Sequence, residues 1–366
     1  MKTFDSTLAY YVNQLDNLDK KLYEPLFSVT WGRDIKLRTG ITMANESTSF
    51  IRSTIGAVGT QNATGKPWIS PNTTTLPGVS INGERVTLPL RLLGQEVSYS
   101  SVELERSQLL GQPIDAQKFN ALNTIYQMAT DEMIYVGDTA VGAEGLVNST
   151  LVTSGSVPNG TGGSPLWVNK TPDEILKDVN DMITAAWQAS GFAVCPDKLL
   201  LPPAQFAYIS SQKISTAGNV SILTFLEDNS ISLRVNGRKL DIQPLKWLTG
   251  RGTGGADRMV AYTNDEERVR FPMVPIRRET PYYLGIKFNA PYIWAFGEVE
   301  FVYPETAVYR DGDTVDVLRE GRVYVSTDDQ VALGDLAYVG ADGAITSDDD
   351  GTIGPIGRFQ GATGAS

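Results

Sequence analysis

The chain has 366 residues, 41% of them hydrophobic, with one cysteine and no histidine. The single Cys195 excludes an internal disulfide and any multi-cysteine metal site, and the missing imidazole excludes Ser-His-Asp and Cys-His chemistry, imidazole-bound zinc and the usual proton shuttle near neutral pH. The net charge of −11 is uneven: residues 311–366 carry eleven acidic residues against three arginines, a net of −8 that leaves −3 for residues 1–310, so neither part offers the basic face that sequence-independent nucleic-acid binding needs. No run approaches the roughly eighteen apolar residues of a membrane span. The start, Met1-Lys2-Thr3-Phe4-Asp5, lacks an apolar core with a cleavage site and predicts no secretory export.

Residues 1–45 open with apolar residues at helical spacing (Leu8, Tyr11, Val12, Leu15, Leu18) and continue through Tyr23-Glu24-Pro25 into an extended segment. This is too thin to bury a core of its own and reads as an arm that packs on something else. Residues 46–98 alternate β-type runs, Ser49 to Ile55 and Val79 to Tyr99, around a stretch holding Gly65-Lys66-Pro67 and Leu76-Pro77-Gly78, which are strong turn signals. A long two-stranded excursion with a polar tip is expected there. An isolated ribbon is marginal in water and needs a partner surface.

The spacing of Phe119, Leu122, Ile125, Tyr126, Ala129 and Met133 predicts a helix over 115–136, with Asp115 as its N-cap and Gly137 as its end. A Gly/Ser/Thr/Asn-rich insertion, Val147 to Gly163, reads as a surface loop or short hairpin. The capping box Thr171-Pro172-Asp173-Glu174 opens a second helix that turns Ile175, Val179, Met182, Ile183 and Ala186 inward and stops at Gly191. Beyond Ala193, α and β mix. A buried strand is expected at Lys198–Leu201, short helices at Pro203–Gln212 and Ser221–Glu227, and a hairpin over Ile231–Pro244 turning at Asn236-Gly237. Strands follow at Met259–Thr263, Phe271–Val274 and Tyr292–Tyr303. From 314 onward, short β runs separated by Gly and Asp turns mark a small acidic all-β module.

Several patterns that could carry chemistry have simpler readings. Gly250-Arg251-Gly252-Thr253-Gly254-Gly255 spells a dinucleotide fingerprint, but that mechanism needs a helix directly after it, and Asp257 to Thr263 reads as a strand. Carboxylate pairs at Glu103/Glu105, Asp131/Glu132 and Asp265/Glu266/Glu267 are read as solvated or salt-bridged charges, with Glu103 and Glu105 in a polar contact beside Arg106. Lys66, next to Pro67-Trp68 on the expected loop tip, is either a solvated lysine or an inter-subunit contact. No cofactor or metal is expected.

The order arm, long β-loop, long helix, Gly-rich insertion, helix, mixed half and return strands resembles the tailed-phage major capsid family with the Hong Kong 97 fold, which encapsulin shells share. The strings that carry the resemblance are Tyr99-Ser100-Ser101-Val102-Glu103-Leu104-Glu105-Arg106, Gly137-Asp138 through Gly145-Leu146-Val147-Asn148, and Pro304-Glu305-Thr306-Ala307-Val308-Tyr309. The resemblance implies an α+β subunit with an N-terminal arm (1–45), an extended β-loop (46–98), a peripheral domain (99–194) with spine helix 115–136, an axial domain (195–297) and return strands (298–313). The acidic module (314–366) is similar to the cement proteins that decorate phage shells and is expected on the outer face.

It further implies a virion protein, assembled in the host cytoplasm, that forms hexamers and pentamers with itself. The resulting icosahedral head meets a portal and decoration or scaffolding proteins, and holds double-stranded DNA only non-specifically. No catalysis and no membrane contact are expected. Lys66, Pro67, Trp68, Glu103, Glu105 and Arg106 are the assembly candidates, and some members of the family crosslink a loop lysine to a neighbour's asparagine. Two other readings stay open: a cellular compartment shell that encloses protein cargo, and a β-rich carbohydrate-active enzyme using two carboxylates.

Overall fold

The structure, a computed structural model, describes residues 27–58, 69, 71, 72, 76, 78–110, 114–214, 220–312 and the strands 336–339, 345–346 and 357–358. The chain divides into two units, Met1–Thr314 and Val315–Ser366. The first unit begins with α1 (Trp31–Asp34), β1 (Lys36–Arg38), β2 (Ser47–Val58), β3 (Gly78–Pro89) and β4 (Arg91–Ser100). Two helices follow, α2 (Ser101–Leu110) and α3 (Ile114–Tyr135), then the short strands β5 (Gly137–Asp138), β6 (Ala143–Glu144) and β7 (Thr153–Ser156). Next come α4 (Pro172–Ala189), β8 (Lys198–Leu201), α5 (Pro203–Ser211), α6 (Ile222–Asn229), α7 (Ile231–Asn236) and β9 (Asp241–Pro244). The unit closes with β10 (Arg258–Tyr262), β11 (Val269–Arg278), β12 (Tyr282–Leu284), β13 (Lys287–Phe296), β14 (Glu300–Phe301) and β15 (Val308–Asp311). In the second unit β16 (Leu336–Val339) pairs antiparallel with β17 (Ile345–Thr346) and β18 (Gly357–Arg358).

A five-stranded sheet ordered β7-β15-β10-β8-β9 stands between two cores. Side chains alternate across a strand, so Leu199, Leu201, Met259, Ala261 and Val308 enter one core with the inner face of α4. Leu200, Val260, Tyr262 and Tyr309 enter the other. Both faces are covered, which is why these strands read as continuous apolar runs rather than alternating ones. The second core is shared with a six-stranded sheet in which β13 lies between β4 and β11, and with Tyr126, Ile134 and Tyr135 of α3.

This arrangement groups the residues differently from the division at 194/195 and 297/298. Helix α4, expected with the peripheral residues, packs on β10 and β15. Strands β11 and β13, expected with the axial residues, pair with each other and with β4.

Local chemistry accounts for the other departures. The Asn236-Gly237 pair does not turn a hairpin: Ile231–Asn236 is a helix, and Gly237 at φ 70° is its left-handed C-cap, a role the same dipeptide fills well. The insertion 147–163 is a largely exposed loop rather than a hairpin, but it is anchored: Val147, Val152 and Val157 are buried, and its one strand, β7, runs parallel to β15. The run 79–99 breaks at Leu90 into β3 and β4, whose partners differ. Helix α2 was not expected at all. Asp115 sits inside the first turn of α3 rather than at its cap. The capping box of α4 forms as expected, Thr171 accepting from Glu174 N–H while Glu174 accepts from Thr171 N–H.

Candidate functional site

The expected two-stranded excursion is the ribbon β2/β3, antiparallel over twelve register pairs from Ser47↔Pro89 to Val58↔Gly78. Its base is clamped. Glu300, fully buried, accepts from Arg38 at 2.5 Å and from Arg270 at 2.6 Å, and Arg38 also donates to Ser49 O at 3.1 Å. Arg52 donates to the carbonyls of Phe301 and Val302 at 2.6 and 3.0 Å. Away from the base the ribbon exposes one apolar face. The pairing puts Ile55 opposite Ile81 and Ile51 opposite Arg85, and Val79 stands two residues before Ile81 on the same side. Ile51, Ile55, Val79 and Ile81 are between 68% and 75% exposed. Clustered exposure of β-branched side chains on a ribbon with no third strand marks an interaction surface.

A second apolar surface lies at the turn between β12 and β13, where Tyr283, Leu284 and Ile286 are 76%, 68% and 68% exposed. Ser101 N–H donates to Ile286 O, which sets the half-exposed Val102 at the start of α2 beside it.

The sequence candidates fare unevenly. Lys66, Pro67 and Trp68 lie outside the described residues. Glu103, Glu105 and Arg106 all lie on α2 and are exposed. Glu103 takes its polar contact not from Arg106 but from Lys118 of α3 at 3.3 Å and from Ser100 N–H at 3.1 Å. The Ser100 amide, followed by Lys118, holds its carboxyl below the ordinary value. Adjacency suggested the arginine; helix α3 supplies the lysine.

The carboxylate pairs do not converge on a cleft. Asp131 is fully buried and accepts from Thr30 N at 2.9 Å and Trp247 Nε1 at 2.7 Å, while Glu132 faces solvent. Asp265 is paired with Arg268. In the Gly250–Gly255 loop several amides are already used: Gly250 N donates to Asp257, Gly252 N to Ala256 O, and Thr253 N to Asp311. A strand, β10, follows where a phosphate site needs a helix. Cys195 is buried, and burial pushes its thiol up to about 11, far from thiolate reactivity. Among the described residues no group of three metal-ligating side chains gathers.

Sequence reasoning missed a buried knot around Asp34. This residue accepts from Tyr135 Oη at 2.5 Å and from Arg33 at 2.7 and 2.8 Å, and lies 3.1 Å from Lys198 Nζ. Burial, then the Asp34 charge, drives the Tyr135 phenol far above its ordinary value. The knot ties α1, within the expected arm, to α3 and to β8. Its members are scattered over more than 160 residues, and no local pattern announces them.

Comparison with known proteins places these surfaces in context. Residues 65–312 match the family model described as major capsid protein, and residues 295–366 match that of a structural cement protein (E217 gp24/Pam3 gp6). No curated protein matches. Among solved structures, the capsid of Myoviridae phage XM1 superposes with a TM-score of 0.66 at 17% identity, covering 82% of this chain and 97% of that one. The capsid of a native GTA particle gives 0.52 at 12% identity, covering 85% and 100%. Mycobacterium phage Che8 gives 0.51 at 12%, covering 81% and 96%. These likenesses establish the Hong Kong 97-like fold. The chain belongs to the major capsid protein family of tailed phages and carries a cement-like C-terminal region.

Proposed function

We propose that the chain builds an icosahedral head from its own hexamers and pentamers, with the β2/β3 ribbon laid over a neighbouring subunit. The observation that carries this reading is the contrast between the ribbon's ends. Its base is fixed by Arg38, Arg52 and the buried Glu300, while Ile51, Ile55, Val79 and Ile81 present apolar surface that no described residue covers. Each such side chain contributes about 1.5–3 kcal/mol when buried. Repeated over every subunit of a closed lattice, modest contacts sum to a persistent shell.

The turn at Tyr283–Ile286 is a second contact between copies. Helix α3 with β4, β11 and β13 forms the peripheral part, and α4 with β7, β8, β9, β10 and β15 the axial part. The chain works by association and catalyses nothing. Its acidic C-terminal module sits on the outer face, away from packaged DNA that would repel it. The head meets a portal, is assembled in the host cytoplasm and encloses double-stranded DNA without sequence-specific contact.

Negative-stain electron microscopy and light scattering of the full chain expressed alone test the reading. Closed shells or six- and five-membered rings are expected. A stable monomer at high concentration, unchanged when scaffolding protein is added, would overturn it. Particles whose ribbon apolar face stays open to chemical labelling would overturn the ribbon's role alone.

A further inference from the structure

A cavity of about 210 Å³ lies at the end of the core that α4 shares with the five-stranded sheet, where β8 finishes and β10 begins. Its wall is apolar. Val157, Trp167, Leu201 and Met259 are buried members of that core, and Leu166 adds a half-exposed side chain. Trp167 is held in place by its Nε1, which donates to Asp178 at 3.1 Å. The space exceeds by an order of magnitude the roughly 10–15 Å³ that one water needs, so it admits a ring or a branched alkyl group.

Three charged side chains line the same cavity, and two of them are spent. Arg258 donates to Asp311 at 2.6 Å and to Val147 O at 2.9 Å. Both oxygens of Asp257 are taken, one by Gln205 Nε2 at 2.8 Å and the other by Gly250 N at 3.0 Å. Arg310 has no hydrogen-bond or ion-pair partner among the described residues. Its position follows from the register: it stands opposite Met259 on β10 and Gly155 on β7, on the sheet face by which Val308 enters the α4 core. Gly155 clears its place. A Cβ there would lie 2.1 Å from Arg310 Nη1, so the guanidinium rests against β7 only because position 155 has no side chain.

We propose that this cavity binds a small amphipathic carboxylate, its apolar group against Trp167, Leu201 and Met259 and its carboxylate on Arg310. A planar guanidinium with free donors meets a carboxylate through paired N–H bonds. Apolar walls with one fixed polar anchor are the usual make-up of a small-molecule site. One unpaired cation, with the Asp257 charge in the same wall, favours a monoanion over a phosphate dianion. The site lies within one chain and goes beyond shell formation, so its occupancy is read whether or not shells form.

The probes are phenylbutyrate and its uncharged amide, phenylbutyramide, titrated into the full-length chain and followed by calorimetry and saturation-transfer NMR. The acid is expected to bind about tenfold tighter than the amide, the contribution of one charge-assisted hydrogen bond converted to a ratio. Equal affinities would overturn the proposal, as would no binding of the acid by the folded chain. Arg310→Gln, with its fold checked by a thermal melt, is expected to bind acid and amide alike; a preference for the acid that survives would overturn it too. Should Arg310→Gln fail to fold, Gly155→Ala decides in its place, since it displaces only the far end of a flexible side chain. It is expected to weaken the acid several-fold and leave the amide unchanged, and an unaltered acid-to-amide ratio would overturn the proposal.

Discussion

Ile55 stands opposite Ile81 across the β2/β3 ribbon, and the two side chains are 72% and 68% exposed. No described residue of their own subunit covers them, since the ribbon's attachment lies at Arg52 and Arg38 near its base. Replacing both by aspartate is expected to leave the stability of the isolated chain unchanged within about 0.5 kcal/mol per site, as for surface sites generally. The same change buries two charges in any interface that uses this face, so rings and shells are expected to disappear. Light scattering beside a thermal melt separates the two effects; shells that persist would remove the ribbon face from the assembly scheme.

The string Gly137 to Asn148, one of those that carried the family resemblance, has a steric cause. A Cβ on Gly145 would lie 2.3 Å from both the carbonyl carbon and oxygen of Tyr135, at the end of α3. Gly145→Ala is expected to cost about 3 kcal/mol or more, because backbone must move on one side or the other. Gly142→Ala, at φ 68° with no neighbour within 4 Å, carries only the left-handed strain of about 1–2 kcal/mol. Urea titrations of the two variants give the ranking; equal costs would mean the loop relaxes freely.

Much of the fold was legible because its signals are local. The Thr171 capping box, the spacing of α3 and the apolar run Lys198–Leu201 each encode an element within a few residues. The misreadings came where one local pattern serves two structures. Asn236-Gly237 can turn a hairpin or end a helix, and burial of the preceding Ser232 against Pro196 O, far away in sequence, settles which. The insertion 147–163 was judged by its Gly and Ser content, yet Val147, Val152 and Val157 are what anchor it. The candidate site was legible as a need for partners, not as residues. Exposed isoleucines look like core residues until the ribbon's lack of a third strand is known.

The buried pair of Lys170 and Asp178 offers a stability test. Their side chains are 1% and 5% exposed, Nζ lies 2.7 Å from Oδ2 and 2.6 Å from Pro158 O, and Trp167 Nε1 donates to the same carboxylate at 3.1 Å. Burial pushes the Asp178 carboxyl up, and Lys170 offsets only part of that. Lys170→Met strands the carboxylate and is expected to cost about 3–5 kcal/mol, whereas Lys170→Met with Asp178→Leu is expected to recover most of it. A raised carboxyl in the folded state binds its proton more tightly than in the unfolded chain, so the single variant regains stability as pH falls through the folded value. Chemical denaturation at two pH values checks both statements.

Glu174 shifts in the opposite sense. Its Oε1 accepts from Thr161 N–H at 2.7 Å and its Oε2 from Thr171 N–H at 2.8 Å. These amides, Thr161 first, lower its carboxyl from 4.5 to about 2. A carboxyl depressed on folding stabilises fully above its unfolded value and loses that contribution as pH falls through the folded one. Glu174→Gln keeps the shape but not the charge. The variant is therefore expected to melt below the parent chain near neutral pH, with the gap narrowing below about pH 4.5 and closing near pH 2. Other carboxyls titrate in the same range, but they are common to both chains and drop out of the difference. A gap that stays constant down to pH 2 would mean that shape rather than charge makes the cap, and Glu174 would then contribute nothing to the acid limit of this subunit.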